Sequence, residues 1–187
     1  MAIIQAVGFT VGMGSGSVIA RLLGKQDDKG ACEYASSAFF SGLAIGVIFA
    51  AAAIFKIRDL MLLFGSTQTI LPYAESYARY IILGAPVMIG AFIMNNLLRS
   101  QGKAKYAMIG IASGGVLNVA LDPLFIFVFK MGTAGAAVAT LISQCISFLI
   151  LLGMFLSGKS SVRLSVKSIS RSPMLYLTVL KTGLPSL

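Results

Sequence analysis

The feature that most constrains this chain is a series of uncharged stretches, each of membrane-spanning length, separated by short charged clusters. They lie at residues 1–20, 34–55, 80–98, 106–129 and 133–156. An α-helix rises about 1.5 Å per residue, so about 20 apolar residues cross a hydrocarbon core of about 30 Å. The chain is 57% hydrophobic and only 11% charged, whereas soluble domains carry about 25% charged residues. The sequence therefore predicts an all-α polytopic membrane protein with five transmembrane helices.

The C-terminal part of the chain divides into two further segments. Residues 157–175 are polar and basic, which predicts a cytoplasmic linker that lies on the membrane surface. Residues 176–187 are mostly apolar again and predict the start of a sixth span. Residues 1–156 then form one transmembrane unit, residues 157–175 the linker, and residues 176–187 the beginning of a second unit.

Glycine and proline predict local features of the spans. Gly8, Gly12 and Gly16 recur at four-residue spacing, a pattern that lets transmembrane helices approach closely. The third helix is expected to begin near Thr67, after a short apolar turn at residues 60–65, and to bend near residues 84–86, where glycine and proline occur together.

The basic residues are distributed as in a membrane protein, although the formal net charge is +9. The loops at residues 21–29, 99–105 and 159–181 carry eleven Lys and Arg, whereas those at 56–58 and 130 carry three. Because basic loops stay in the cytoplasm, this asymmetry sets the orientation and requires no nucleic acid partner. The first span then begins outside, so we expect the chain to be a piece of a longer protein.

The candidate functional residue is Asp122, the one charged residue of the stretch 106–129, which is otherwise free of charge. An acid at that depth costs roughly 2.5–3.5 kcal/mol, so such residues usually face a cavity and serve a function. Asn118, four residues earlier, shares its helical face. Pro123 has no N–H, which leaves the Val119 carbonyl without its helical donor and predicts a bend. The alternative is that Asp122 is a helix-end residue close to water.

A polar stripe follows on the next helix, and no histidine accompanies it anywhere in the sequence. The stripe occupies one helical face and consists of Thr140, Ser143, Gln144 and Ser147. Such a stripe forms hydrogen bonds between helices or lines a polar cavity, and the spacing alone does not choose between the two. The two cysteines are too few for a disulfide framework.

Two adjacent motifs carry a resemblance to a known family. Asn118-x-x-x-Asp122-Pro123-x-Phe125, followed by Gly132-x-Ala-Gly-Ala-Ala-x-Ala-Thr140, resembles helices five and six of the MATE (multidrug and toxic compound extrusion) transporters. Shorter segments are similar to the same family in chain order, at residues 14–25, 83–86, 99–104 and 182–185. The match covers nearly the whole chain.

The resemblance implies an antiporter of twelve helices in two six-helix lobes, located as a multi-pass protein in the plasma (inner) membrane. Such a protein is not an enzyme: it exports small organic cations, drugs included, in exchange for H+ or Na+, and needs no other cofactor. This chain would supply helices two to six of an incomplete N-terminal lobe and the start of helix seven. The first helix and the second lobe would be its missing partners, with the lipid bilayer around them.

The resemblance also implies roles for individual residues. Asp122, Asn118 and Thr140 match the cation-coupling site, and they would be the metal ligands if the coupling ion is Na+. Tyr77 is a match to a tyrosine near that site. The candidate cavity-lining residues are Tyr77, Ser143, Gln144 and Ser147.

Three other functions remain open at this point. A lipid-linked oligosaccharide flippase would be expected to have several basic residues in its spans, and here only Arg79 approaches one. An intramembrane aspartyl protease needs two facing aspartates, and Asp122 has no second acid at its depth. A membrane protein that transports nothing is the third.

Overall fold

The uncharged stretches form helices because backbone groups in hydrocarbon must pair within their own segment. The computed structural model describes residues 2–170 and 173–184, apart from the side chain of Lys167. Its helices are α1 (Ala2–Gly24), α2 (Asp28–Phe55), α3 (Ile57–Leu63), α4 (Leu71–Leu83), α5 (Ala85–Ser100), α6 (Ala104–Pro123), α7 (Gly132–Leu156) and α8 (Pro173–Gly183). Among the described residues, four helices are long and apolar enough to cross a membrane, or five if α4 and α5 form one span.

Two expected boundaries and one expected turn differ from the structure. α2 begins at Asp28 rather than near Tyr34, because the Asp27 carboxylate caps it by accepting a hydrogen bond from the Gly30 N–H at 3.0 Å. Residues 60–65 are not a simple turn, since most of them belong to α3. α4 begins at Leu71 rather than near Thr67.

The third span is bent, as glycine and proline at residues 84–86 predict. α4 and α5 meet at an angle of 51°. α2 packs directly on the bend: a Cβ atom added at Gly46 would lie 2.7 Å from Cα of Pro86. Gly46 therefore lets α2 follow a helix that changes direction.

The glycine pattern of α1 forms a close interface with α5, as predicted. A Cβ atom added at Gly8 would lie 2.9 Å from Cβ of Phe92, and one at Gly12 would lie 3.0 Å from Nδ2 of Asn96. A side chain larger than hydrogen at these positions would push the two helices apart, so α1 and α5 form a tightly packed central pair.

The C-terminal helix α8 lies against α1. Leu175 and Val179 are buried in this contact, and a Cβ atom at Gly183 would overlap the carbonyl of Thr10. α8 begins at Pro173, inside the expected linker 157–175. The predicted domain boundaries remain a prediction, and residues 171, 172 and 185–187 lie outside the described residues.

The loops after α1, α5 and α7 lie at one end of the bundle, which we call the basic end. The loops after α2 and before α7 lie at the other, which we call the opposite end. This arrangement follows from the alternating direction of the spans, and it agrees with the charge asymmetry of the loops.

Candidate functional site

The helix that carries Asp122 changes its hydrogen-bond register immediately after that residue. Pro123 has no N–H to donate to the carbonyl of Val119. Leu124 to Val128 continue the span as a π-helical segment, in which the Phe129 N–H reaches the Leu124 carbonyl at 3.0 Å. The span therefore continues past Pro123 with a wider turn, a feature frequent at functional sites.

The structure brings together the three residues expected at the coupling site. Nδ2 of Asn118 lies 3.3 Å from Oδ1 of Asp122 and 3.3 Å from Oγ1 of Thr140. All three side chains are partly buried. The Thr140 hydroxyl donates to the Ala136 carbonyl at 2.8 Å, so its lone pairs remain for Asn118. One amide thus connects the carboxylate of α6 to the hydroxyl of α7.

The donor set of this cluster fits a small hard cation or a proton. It offers oxygen atoms from one carboxylate, one hydroxyl and, after rotation of the side chain, one amide. Hard cations prefer such oxygen ligands. Within the described residues no group of three or more His, Cys, Asp or Glu side chains could hold a metal ion. A single carboxylate with neutral oxygens suits one positive charge better than two.

The polar stripe on α7 supports both alternatives that its spacing left open, hydrogen bonding between helices and lining of a cavity. The Ser147 hydroxyl, which is buried, donates to the Gly110 carbonyl of α6 at 2.6 Å, so this residue joins two helices. The Ser143 hydroxyl donates to Ala139 of its own helix at 2.7 Å. Gln144 and Ser147 also line a cavity of about 170 Å³ between α5, α6 and α7.

Asn95 is a polar residue that the sequence analysis did not select. It is buried on α5, and its Nδ2 donates to the Ala107 carbonyl of α6 at 2.7 Å. It also lines the same cavity as Gln144, together with Phe92. The signal available in the sequence was an amide inside an uncharged stretch, the same signal that drew attention to Asn118.

Tyr77 lies in the wall of a different cavity, whose volume is about 630 Å³. This cavity is at the opposite end of the bundle, between the start of α1, the end of α2, α3, α4 and the start of α7. Its wall is almost entirely apolar, and Thr133 is among the few hydroxyl-bearing residues in it. The structure thus assigns Tyr77 to an apolar chamber, separate from the cavity that Gln144 lines.

Comparisons with known proteins agree on one family. The family model MatE matches residues 1–124. The multidrug export protein MepA of Staphylococcus saprophyticus is 30% identical over 185 residues, which are 99% of this chain and 41% of that protein. The chain therefore spans about two fifths of the length of this curated relative.

Solved structures give the same result for the fold. An inward-facing multidrug resistance MATE family transporter of the MOP superfamily aligns with a TM-score of 0.91 and 32% identity, over 98% of this chain and 42% of that one. An outward-facing conformation of such a transporter aligns with a TM-score of 0.90 and 32% identity, over 98% and 41%. The fold of this chain is thus equally similar to both conformations.

Proposed function

This chain belongs to the MatE family, and on that premise we propose that it forms part of a secondary antiporter. The intact protein would export cationic organic compounds, drugs among them, in exchange for H+ or Na+. It would lie in the plasma (inner) membrane as a multi-pass protein, with the basic end of the bundle in the cytoplasm. The relatives' additional length would supply the rest of the transport path.

The observation that carries this proposal is the pair of hydrogen bonds from Asn118. Nδ2 of Asn118 reaches both Asp122 and Thr140 at 3.3 Å. When Asp122 is ionised, it attracts this amide and the two helices are linked through it. A proton on the carboxyl group, or a Na+ ion between the oxygens, weakens that attraction, because the hydrogen bond is then no longer to a free anion. The charge of Asp122 would therefore bias how α6 sits against α7, and so which conformation is favoured.

The cavity lined by Phe92, Asn95 and Gln144 is a suitable part of a site for an organic cation. The amides of Asn95 and Gln144 offer hydrogen-bonding oxygens. Its volume of about 170 Å³ is smaller than the 300–1,000 Å³ that drug-sized ligands usually occupy. Other parts of the transporter would complete the site.

The proposal is tested with Asp122→Asn in the intact transporter that contains this chain, reconstituted in liposomes. The substitution keeps the size and hydrogen bonding of the side chain but removes its negative charge. We expect drug efflux driven by an imposed H+ or Na+ gradient to be abolished, while the protein still inserts and folds. Asp59→Asn is the matched control, because Asp59 is exposed on α3 and should leave efflux unchanged.

Full gradient-driven efflux by Asp122→Asn would refute the assignment of the coupling residue. It would also favour the simpler interpretation of Asp122 as a solvated acid near a helix end. The folded fraction of both variants is measured alongside by size-exclusion chromatography, so that a loss of efflux is compared at equal amounts of folded protein.

A further inference from the structure

The segment 159–170, which the sequence predicts to be a surface linker, is hydrogen-bonded to the bundle. We call these residues the strap. Its first half is held by the loop between α5 and α6. Oε1 of Gln101 accepts hydrogen bonds from the Ser160 hydroxyl at 2.9 Å and from the Ser161 N–H at 2.8 Å. Lys103, which precedes α6, donates from Nζ to the Lys159 carbonyl.

The second half of the strap is held by the first turns of α2. The Arg163 N–H donates to Sγ of Cys32 at 3.3 Å, and the Arg163 carbonyl accepts from the Ser36 hydroxyl at 3.3 Å. Ser36 in turn accepts from the Ser165 N–H at 3.1 Å. The Ser170 N–H donates to the Ser37 hydroxyl at 2.8 Å. A cysteine and two serines of α2 thus bind the strap through its backbone.

A buried side chain connects the two halves. Val162 lies between the Gln101 contacts and the Cys32 contacts, and it is only 1% exposed. It belongs to the same hydrophobic core as Phe155 and Leu98. A segment that rested on the membrane surface would leave these backbone groups to water. Here side chains of the bundle replace water for these backbone groups, and two of them, Ser36 and Ser37, are fully buried.

The strap joins two helices that do not otherwise meet. Within the described residues α2 and α6 make no direct contact, although both pack against α5. α6 has few buried positions of its own, and these are Ala107, Gly110 and Gly114, all in its half nearer the basic end. The strap adds a further attachment at the same end of the bundle. Lys103, the N-cap residue of α6, binds Lys159, and Gln101, the C-cap residue of α5, binds Ser160 and Ser161.

We propose that residues 159–170 are a structural strap that ties the start of α6 to α2, so that the basic end of the bundle moves as one body. The half of α6 that carries Asp122 lies beyond this attachment and is left free to respond to its neighbours. The strap is also an element of the first transmembrane unit rather than a loose connection to α8. This inference does not depend on the coupling ion, the substrate or transport itself.

Cys32 provides a native reporter of strap docking, because its sulfur accepts the Arg163 N–H. The experiment measures the rate at which a maleimide alkylates Cys32 in the 187-residue chain in detergent, resolved by peptide mass spectrometry. Cys145 lies on α7, and the strap does not contact it in the described structure; its alkylation rate is the internal reference. The variants are Ser36→Ala, at the α2 end of the strap, and Gln101→Ala, at the α6 end.

We expect both substitutions to raise the Cys32 rate relative to that of Cys145, each by at least about fivefold. Each removes two hydrogen bonds to the strap, and the loss of one corresponds to about fivefold. Ser41→Ala is the matched control on α2, since the Ser41 hydroxyl donates to Ala38 of its own helix at 3.2 Å. It should leave the rate unchanged. The variant at the other end of the strap is Gln101→Ala, because Gln101 binds Ser160 and Ser161 of the strap and forms no described hydrogen bond with α2.

A rise with Ser36→Ala but none with Gln101→Ala would overturn the proposal, because the segment would then be bound to α2 alone. No rise with either variant would also overturn it. Ser160→Ala repeats the α6-end test without a change in any helix and should give a smaller rise. If Gln101→Ala lowers the helix content in circular dichroism, the result with Ser160→Ala decides the question.

Discussion

The two ends of the α6–α7 pair are joined by different kinds of contact. At the basic end, short hydrogen bonds between buried groups attach α6 to both neighbours: Ser147 to Gly110 at 2.6 Å and Asn95 to Ala107 at 2.7 Å. At the opposite end, the only side-chain hydrogen bond between α6 and α7 in the described residues runs from Asn118 to Thr140, at 3.3 Å between partly buried groups. The same two helices are therefore fastened at one end and adjustable at the other.

This difference has a physical cause in the residues that form each end. Gly110 and Gly114 allow α7 to approach α6 closely enough for a serine hydroxyl to reach a backbone carbonyl. Asn118 must instead span the gap between two side chains, and its one amide nitrogen serves two acceptors. Contacts of 3.3 Å lie at the weak limit for hydrogen bonds. Small residues thus stabilise the scaffold at the basic end, while the titratable residue lies where the side-chain hydrogen bond between the two helices is long.

The largest effect on stability is expected at Gly135 of α7, which packs against the backbone of the π segment at the opposite end. A Cβ atom there would lie 2.8 Å from the carbonyl oxygen of Phe125 in the π segment. Because a backbone atom cannot turn aside, Gly135→Ala should lower the free energy of unfolding by about 1–3 kcal/mol. Thermal unfolding of the chain in detergent measures this effect.

Gly153→Ala is the control on the same helix, since an added Cβ there meets nothing within 4 Å. It should be neutral, or stabilising by up to about 1 kcal/mol, because alanine is the better helix former. Equal melting temperatures for the two variants would contradict the close contact at Gly135. They would mean that the π segment moves away from the added Cβ without cost, and that α6 and α7 are held together even more weakly at the opposite end than the distances suggest.

The spans and the partners within one helix could be predicted from the sequence, because both depend on local periodicity. Uncharged runs predicted the five spans, and the four-residue spacing placed Asn118 beside Asp122. The proximity of Thr140 was expected only from the resemblance to a family, since no spacing relates residues of different helices. The structure brings the three together, and their role in coupling stays a prediction.

Contacts between distant parts of the chain left no comparable signal. The serines that bind the strap, Ser36 and Ser37, are 127 and 133 positions from their partners Arg163 and Ser170, and they bind backbone atoms that every residue possesses. The basic composition of the segment instead suggested a membrane surface. Pro123 predicted a bend, whereas the span continues past it as a π-helical segment that packs against α7.

A smaller loss of stability is expected from Ser147→Ala, which lies at the basic end. The substitution removes a buried hydrogen bond between helices but leaves the Gly110 carbonyl its helical donor, so no buried group loses its only partner. We expect a loss of about 1 kcal/mol in the free energy of unfolding. Ser143→Ala is the control, because the Ser143 hydroxyl is equally buried but bonds only to its own helix. If both variants cost the same, Ser147 does not fasten α6 to α7.

The smallest effect on stability is expected from Asn118→Ala, although it removes the only side-chain hydrogen bond described between α6 and α7 at the opposite end. Thr140 keeps its 2.8 Å hydrogen bond to Ala136, and the partly buried Asp122 can exchange the amide for water. Neither partner is left buried and unpaired, which is the costly outcome. The melting temperature of the chain should therefore change less than with Ser147→Ala.

In the intact transporter the same substitution, Asn118→Ala, should weaken the apparent affinity for the coupling ion by about fivefold, since one neutral ligand is worth about 1 kcal/mol. The measurement is the dependence of drug efflux on H+ or Na+ concentration in proteoliposomes. A large loss of stability with unchanged ion affinity would contradict this interpretation. Asn118 would then stabilise the contact between α6 and α7, and it would not bind the coupling ion.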